Sequence, residues 1–185
     1  MNILGGTIAR KKIALLFALA AASGAAQAFT LTSPQIKPGG DIAREPVYTQ
    51  CGGGNVSPQL AWRDPTTNTK SFAVTVFDPD AGGGGFWHWI AFDIHVGAHG
   101  LNAGAGTLHN GNAPGDTIQI ENGFGERGYD GPCPPPGKPH HYVFTAYALD
   151  VPTLGLSIDA NAYQALAAIK RHTLATATLT AQYGR

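Results

Sequence analysis

Ser71-Phe72-Ala73-Val74-Thr75-Val76-Phe77-Asp78-Pro79-Asp80 carries the clearest backbone signal in this chain of 185 residues. Phe72, Val74 and Val76 alternate with Ser71, Ala73, Thr75 and Phe77, and β-branched residues are enriched, which predicts a strand over 71–77. Pro79 cannot donate to a central ladder and ends it. Asp78 therefore falls where a strong strand stops, a position from which a side chain reaches a crevice at the sheet end. An Asp before Pro also caps its own turn by accepting from nearby amides. Asp80 is read mainly in that capping role.

Downstream, the four glycines 82–85 make a flexible connection to a second expected strand, Trp87 to Ile94, which is apolar at nearly every position and so buried on both faces. Alternation places His88 on the face opposite Trp87 and Trp89, free to line a cavity while the indoles pack the core. Residues 97–117 are Gly/Asn-rich loop. A third strand is expected over His141 to Leu149, with Tyr142, Phe144, Ala146 and Ala148 on one face. His140 and Tyr142 share that face, and His141 takes the other. A helix follows from about Asn161 to His172, with Asp159 as expected N-cap, and Leu174 to Tyr183 alternates as a closing strand. Upstream, Phe29 to Leu31 reads as an edge strand, residues 33–58 as loop with a turn cluster at Gly52-Gly53-Gly54-Asn55, and Leu60-Ala61-Trp62 as a short apolar anchor. Several strands with one late helix predict an antiparallel β core, not a βαβ wind.

The N-terminus reads as an export signal spanning residues 1–28. Arg10, Lys11 and Lys12 precede an apolar run from Ile13 to Ala22, and Ala26-Gln27-Ala28 is an A-x-A cleavage site. The run is short of the roughly 20 apolar residues that span a bilayer. Cleavage would leave a single domain at 29–185, in the periplasm or secreted. That part holds nine basic and twelve acidic residues, a net charge of −3 with His neutral. A mildly acidic surface without basic clusters argues against nucleic acid as a partner.

The mature segment holds both cysteines, Cys51 and Cys133. In an oxidising compartment they read as one disulfide or as two separate small buried thiols. Without a C-x-x-C pair a structural zinc site is not expected. Two His and a carboxylate also spell an open metal site, but no local ligand spacing supports it, and no metal or cofactor is expected. There is no nucleophile elbow and no phosphate-cradling Gly-rich loop with Lys. What remains is Asp78, His88, His140 and Tyr142 beside the Gly/Pro-rich loop Gly128-Tyr129-Asp130-Gly131-Pro132-Cys133-Pro134-Pro135-Pro136-Gly137. Imidazolium, a phenol and backbone N–H groups are good anion ligands.

Lys70 through Ala81, then Trp87-His88-Trp89, then Gly128-Tyr129-Asp130-Gly131-Pro132 to His140-His141-Tyr142, preceded by Asn55-Val56-Ser57-Pro58-Gln59-Leu60-Ala61-Trp62, resemble the phosphatidylethanolamine-binding proteins, also called Raf kinase inhibitor-like proteins, and their bacterial branch most closely. The helix followed by Ala175–Leu179 matches the C-terminal end. The resemblance implies a mainly β fold, a Greek-key arrangement of two antiparallel sheets with flanking helices. It implies a small anion pocket using Asp78, His88 and His140, with Tyr142, Gly131 and Pro132 as neighbours and Tyr129 adding a wall or a hydroxyl. It also implies a bond between Cys51 and Cys133, since exported bacterial members carry cysteines in these loops. The chain departs from the family at Gly82, where a proline is usual, which implies a looser pocket rim.

The resulting expectation is an exported, non-enzymatic binding or regulatory protein for a phosphate-like or other small anionic headgroup. Two other classes fit the same residues: an inhibitor of a protease or kinase-like partner acting through surface loops, and a weak hydrolase using Asp78 and His88 as acid and base.

Overall fold

The computed structural model describes residues 28–63, 65–107 and 112–185, besides Met1. The expected export signal lies almost wholly outside the described residues. No described helix is long and apolar enough to cross a membrane.

The stretch at 71–80 does organise the fold. It forms β3 (Ser71–Asp78), the centre of a five-stranded antiparallel sheet. β4 (Phe86–His95) pairs with it on one side, and β7 (His140–Leu149) on the other. Beyond β4 lies the short β6 (Ile118–Gln119), and beyond β7 the closing β8 (Thr173–Tyr183). β7 returns over a long connection to lie beside β3, the non-sequential pairing that a Greek key requires. A second antiparallel sheet of three strands runs β1 (Thr30–Thr32), β2 (Leu60–Arg63), β5 (Gly100–Leu101).

Burial explains the layering. Phe72, Val74 and Val76 of β3 point to one face with Tyr142, Phe144, Ala146 and Ala148 of β7. They pack against Leu31, Leu60, Trp62 and Leu101 of the small sheet. Ala73 points the other way, joining Ile90, Phe92 and Leu149 beneath Ala165 and Ile169 of α1 (Ala162–His172). With both faces covered, β3 is buried along nearly its whole length. Side-chain period two against two apolar layers fixes its register, because a one-residue slip would exchange the faces.

Several expected boundaries move. The short apolar anchor at 60–62 is β2, and the loop read at 97–117 contributes β5. One α-helix flanks the sheets among the described residues, with a 3-10 turn at Thr49–Cys51, where the resemblance implies helices in the plural. The N-cap of α1 is Asn161, not Asp159. Its side chain accepts from Gln164 N–H, and the Gln164 side chain accepts from Asn161 N–H, a reciprocal capping box that satisfies two otherwise orphaned donors. Asp159 instead pairs with Arg127.

Candidate functional site

The ends of β3, β4 and β7 and the loop before β7 enclose a cavity of about 180 Å³. Its lining includes Asp78, His88, His140 and Tyr142, so the fold brings together four residues separated by up to 64 positions. Ala81, Phe86, Phe124, Cys133, Pro134 and Pro135 complete the wall.

Asp78 does two jobs at once. One carboxylate oxygen accepts from Asp80 N–H at 2.8 Å and Ala81 N–H at 3.1 Å, holding the turn after β3. The other accepts from His140 Nδ1 at 2.7 Å. The turn cap thus aims the carboxylate that orients His140. Two residues on, Asp80 accepts at 2.7 Å from both the backbone N–H and the Nδ1 of His141, on the exposed side of the strand. The His141 backbone N–H and its side chain hold the Asp80 carboxyl below the usual carboxylate range.

His88 reaches the cavity through a β-bulge. Val76 pairs with Trp89 and Phe77 with Trp87, which leaves His88 as the extra residue. The bulge corrects the expected alternation. Trp87 does face away, packed at a tilt against Phe77 with ring centroids 4.3 Å apart. Trp89, however, packs in the same inner layer as Tyr142, the ring that His88 meets edge-on at 5.2 Å. Asp130 and His88 exchange two bonds: Asp130 N–H donates to the His88 carbonyl at 3.0 Å, and His88 Nδ1–H donates to the Asp130 carbonyl at 2.7 Å. A carbonyl only accepts, so the proton sits on Nδ1 and the neutral ring leaves Nε2 bare. The Asp130 side chain is itself held by Asn55 and Asn122. Burial pulls the His88 pKa below the ordinary histidine value, outweighing the Asp130 carbonyl and the nearby carboxylates, which act in the opposite direction.

Tyr142 is fully buried, and its hydroxyl has no hydrogen-bond partner. Burial, and the Asp78 carboxylate that lies beside the hydroxyl without meeting hydrogen-bond geometry, push its pKa upward, so it stays a neutral phenol. A buried, unpaired hydroxyl is costly, by about 1–3 kcal/mol, and so is a natural ligand contact.

Three expected neighbours stand back from the cavity. Tyr129 is buried, donates its hydroxyl to Pro46 O at 2.9 Å and packs edge-on against Trp89. Gly131 donates its N–H to Asn55 Oδ1, and a Cβ there would collide with the Pro46 carbonyl. Pro132 offers its carbonyl to Tyr48 N–H. The backbone donors of this loop are therefore engaged in holding it: those of Gly128, Tyr129 and Asp130 go to Ile120, Gly106 and His88. Cys133, by contrast, lines the cavity while bonded to Cys51 with Cα atoms 5.6 Å apart, so the disulfide ties the Pro-rich wall to the turn at Thr49–Cys51.

The residues that sequence reasoning missed are aromatic. Phe86 meets the His88 ring at 5.1 Å, and Phe124 meets it at 5.7 Å. Phe124 stacks on Tyr48 at 4.6 Å as a half-exposed rim. Gly123 makes space for Phe86, since a Cβ at 123 would strike its ring. A Gly beside a Phe in a turn was the only signal available. Among the described residues no cluster of three His, Cys, Asp or Glu is arranged to hold a metal ion.

Two antiparallel sheets flanked by one described helix, with a small cavity at the strand ends, define the fold class. The family model for phosphatidylethanolamine-binding protein matches residues 32–184, and the chain belongs to that family. A curated relative, UPF0098 protein YbcL of Escherichia coli, is 41% identical over 167 residues, covering 87% of this chain and 90% of that protein. The putative lipoprotein LppC of Mycobacterium tuberculosis is 40% identical over 146 residues, covering 78% of this chain and 67% of that protein. The crystal structure of E. coli YbcL, described as a new member of the mammalian PEBP family, superposes with a TM-score of 0.81 at 36% identity over 86% of this chain and 99% of that one. A Chlamydia trachomatis PEBP homologue, CT736, gives a TM-score of 0.73 at 33% identity, covering 85% of this chain and 98% of that one.

Proposed function

We propose that this protein is an exported, non-enzymatic binding or regulatory protein whose end cavity holds a small phosphate-like headgroup. The observation that carries the reading is the convergence of Asp78, His88, His140 and the unpaired Tyr142 hydroxyl on one cavity of about 180 Å³. That volume suits a headgroup with a short substituent rather than a whole lipid. Phe86, Phe124 and the prolines supply an apolar wall for that substituent. His140, oriented by Asp78, becomes a charge-assisted donor when protonated, and Tyr142 is a donor at any ordinary pH. The one sulfur in the wall, on Cys133, is committed to a disulfide and is no nucleophile. Export is supported by the N-terminal pattern, by the disulfide, and by a relative named as a putative lipoprotein. On this reading residues 1–28 are a cleaved signal and the mature chain works in the cell envelope or outside the cell.

Calorimetry with inorganic phosphate and phosphoethanolamine tests the pocket. Binding should be in the micromolar-to-millimolar range and fall at least about tenfold in His140→Ala, the loss of one charge-assisted bond. Affinity unchanged in both His88→Ala and His140→Ala would exclude it.

A further inference from the structure

The cavity is poor in donors and rich in acceptors. No Lys or Arg lines it. The amides of Gly128 through Gly131 are all spent inside the loop, and of the wall residues that follow, Pro132, Cys133, Pro134 and Pro135, only Cys133 carries an N–H. The Ala81 amide is spent on Asp78. Both lining histidines use Nδ1–H on an acceptor, the Asp130 carbonyl for His88 and the Asp78 carboxylate for His140. In their neutral forms both therefore present an unprotonated Nε2. The hydroxyl of Tyr142 is then the one neutral side-chain donor in the lining.

A tetrahedral anion that carries no proton meets lone pairs on two sides of such a cavity. It binds only if the solvent protonates the rings, and the buried His88 ring resists protonation. An oxyanion with one P–O–H group donates that proton to Nε2 and meets Tyr142 with another oxygen. We infer, building on the pocket reading above, that the cavity selects oxyanions that bring their own proton, monoprotonated phosphate and phosphomonoesters, over tetrahedral anions that bring none, such as sulfate. The charged and titratable groups around His88 are few: Asp78 from β3, His140 and Tyr142 from β7, and Asp130 from the loop before β7, whose carboxylate is held by Asn55 and Asn122. Phe86 and Phe124 add none.

The test is calorimetry of the full chain near pH 7 with inorganic phosphate and with sulfate at matched ionic strength, each in two buffers of different ionisation enthalpy. Phosphate should bind at least about tenfold more tightly, the worth of one hydrogen bond to a charged group. Any bound sulfate should draw more protons from the buffer than phosphate does. His88→Gln replaces the bare nitrogen with an amide able to donate, and should raise sulfate affinity and bring the ratio toward one. If that variant does not fold, the wild-type ratio and proton counts still decide. Equal or tighter sulfate binding without extra proton uptake overturns the inference and leaves the pocket reading standing. Failure to bind either anion overturns both.

Discussion

Asp78–His140 and Asp80–His141 are the same chemical pair built twice at one corner of the molecule. Both join a carboxylate of the β3 turn to a histidine of β7 at 2.7 Å. Strand alternation separates them: His140 turns inward with Tyr142, and His141 turns out. The inner pair leaves side chains only 17% and 4% exposed, the outer pair 50% and 31%. Identical contacts thus have different consequences. The inner carboxylate is surrounded by low-dielectric wall and steers a ring toward a cavity. The outer one is screened by solvent and ties the turn after β3 to the start of β7 through His141. Pairing alone does not mark a site; pairing with enclosure does.

The strongest way to break the contrast is to remove the wall. The Cys51–Cys133 disulfide closes a loop with a sequence separation of 82 and holds Pro134 and Pro135 against the inner pair. Replacing both cysteines with Ser should cost about 4–5 kcal/mol in the chain-entropy description, read by urea denaturation. It should also weaken phosphate binding, while a variant with unchanged affinity would mean that the disulfide supports the fold and not the pocket. The next effect is on the inner pair itself. Asp78→Ala leaves His140 Nδ1–H and two turn amides without their acceptor and should cost about 3 kcal/mol. Equal losses in Asp78→Ala and Asp80→Ala would show that enclosure is not what distinguishes the pairs.

A third effect sharpens the contrast by pH. His88 is held neutral by burial, with a pKa below its ordinary value of about 6.5. As pH falls below about 6.5, the unfolded chain takes up a proton at this position and the native chain does not. Stability therefore declines as pH drops toward the lowered native pKa. Denaturation at a series of pH values should show this slope in the wild type and a shallower one in His88→Gln. The exposed pair contributes nothing over the same window through Asp80, whose titration lies in the acid range.

Much of this arrangement was legible in the sequence because it follows from period two. The alternation at 71–77 gave β3 its faces, and that at 140–148 correctly sent His140 and Tyr142 one way and His141 the other. Legibility failed wherever the period was interrupted. The bulge at His88 puts His88 and Trp89 in one layer, and no residue between Trp87 and Ile94 announces it. Of the rim aromatics, Phe86 opens β4 and Phe124 comes from a loop packed on it, a contact set by tertiary structure. Tyr129, Gly131 and Pro132 sit in the right segment, but the segment spends its polar groups on itself. The cap of α1 was misplaced by two residues because Asp and Asn both suit the position. Only the reciprocal bond with Gln164, three residues on from Asn161, decides between them.

The smallest expected effect belongs to the outer pair, and it decides whether the comparison holds. Asp80 has its pKa lowered chiefly by the His141 backbone N–H, so its contribution exists above the ordinary carboxylate value of about 3.9 and is lost as pH falls through the lower native value. Because the carboxylate is open to solvent, the contribution is screened and small. Asp80→Asn should therefore denature indistinguishably from wild type at neutral pH and moderate salt, and should leave phosphate affinity unchanged. A parallel Asp78→Asn variant should lose binding, since a neutral amide oxygen is a weaker acceptor than the carboxylate that orients the His140 ring toward the cavity. If Asp80→Asn weakened binding as much as Asp78→Asn, the outer pair would be acting on the cavity through the β3 turn. The site would then have to be redrawn to include both carboxylates.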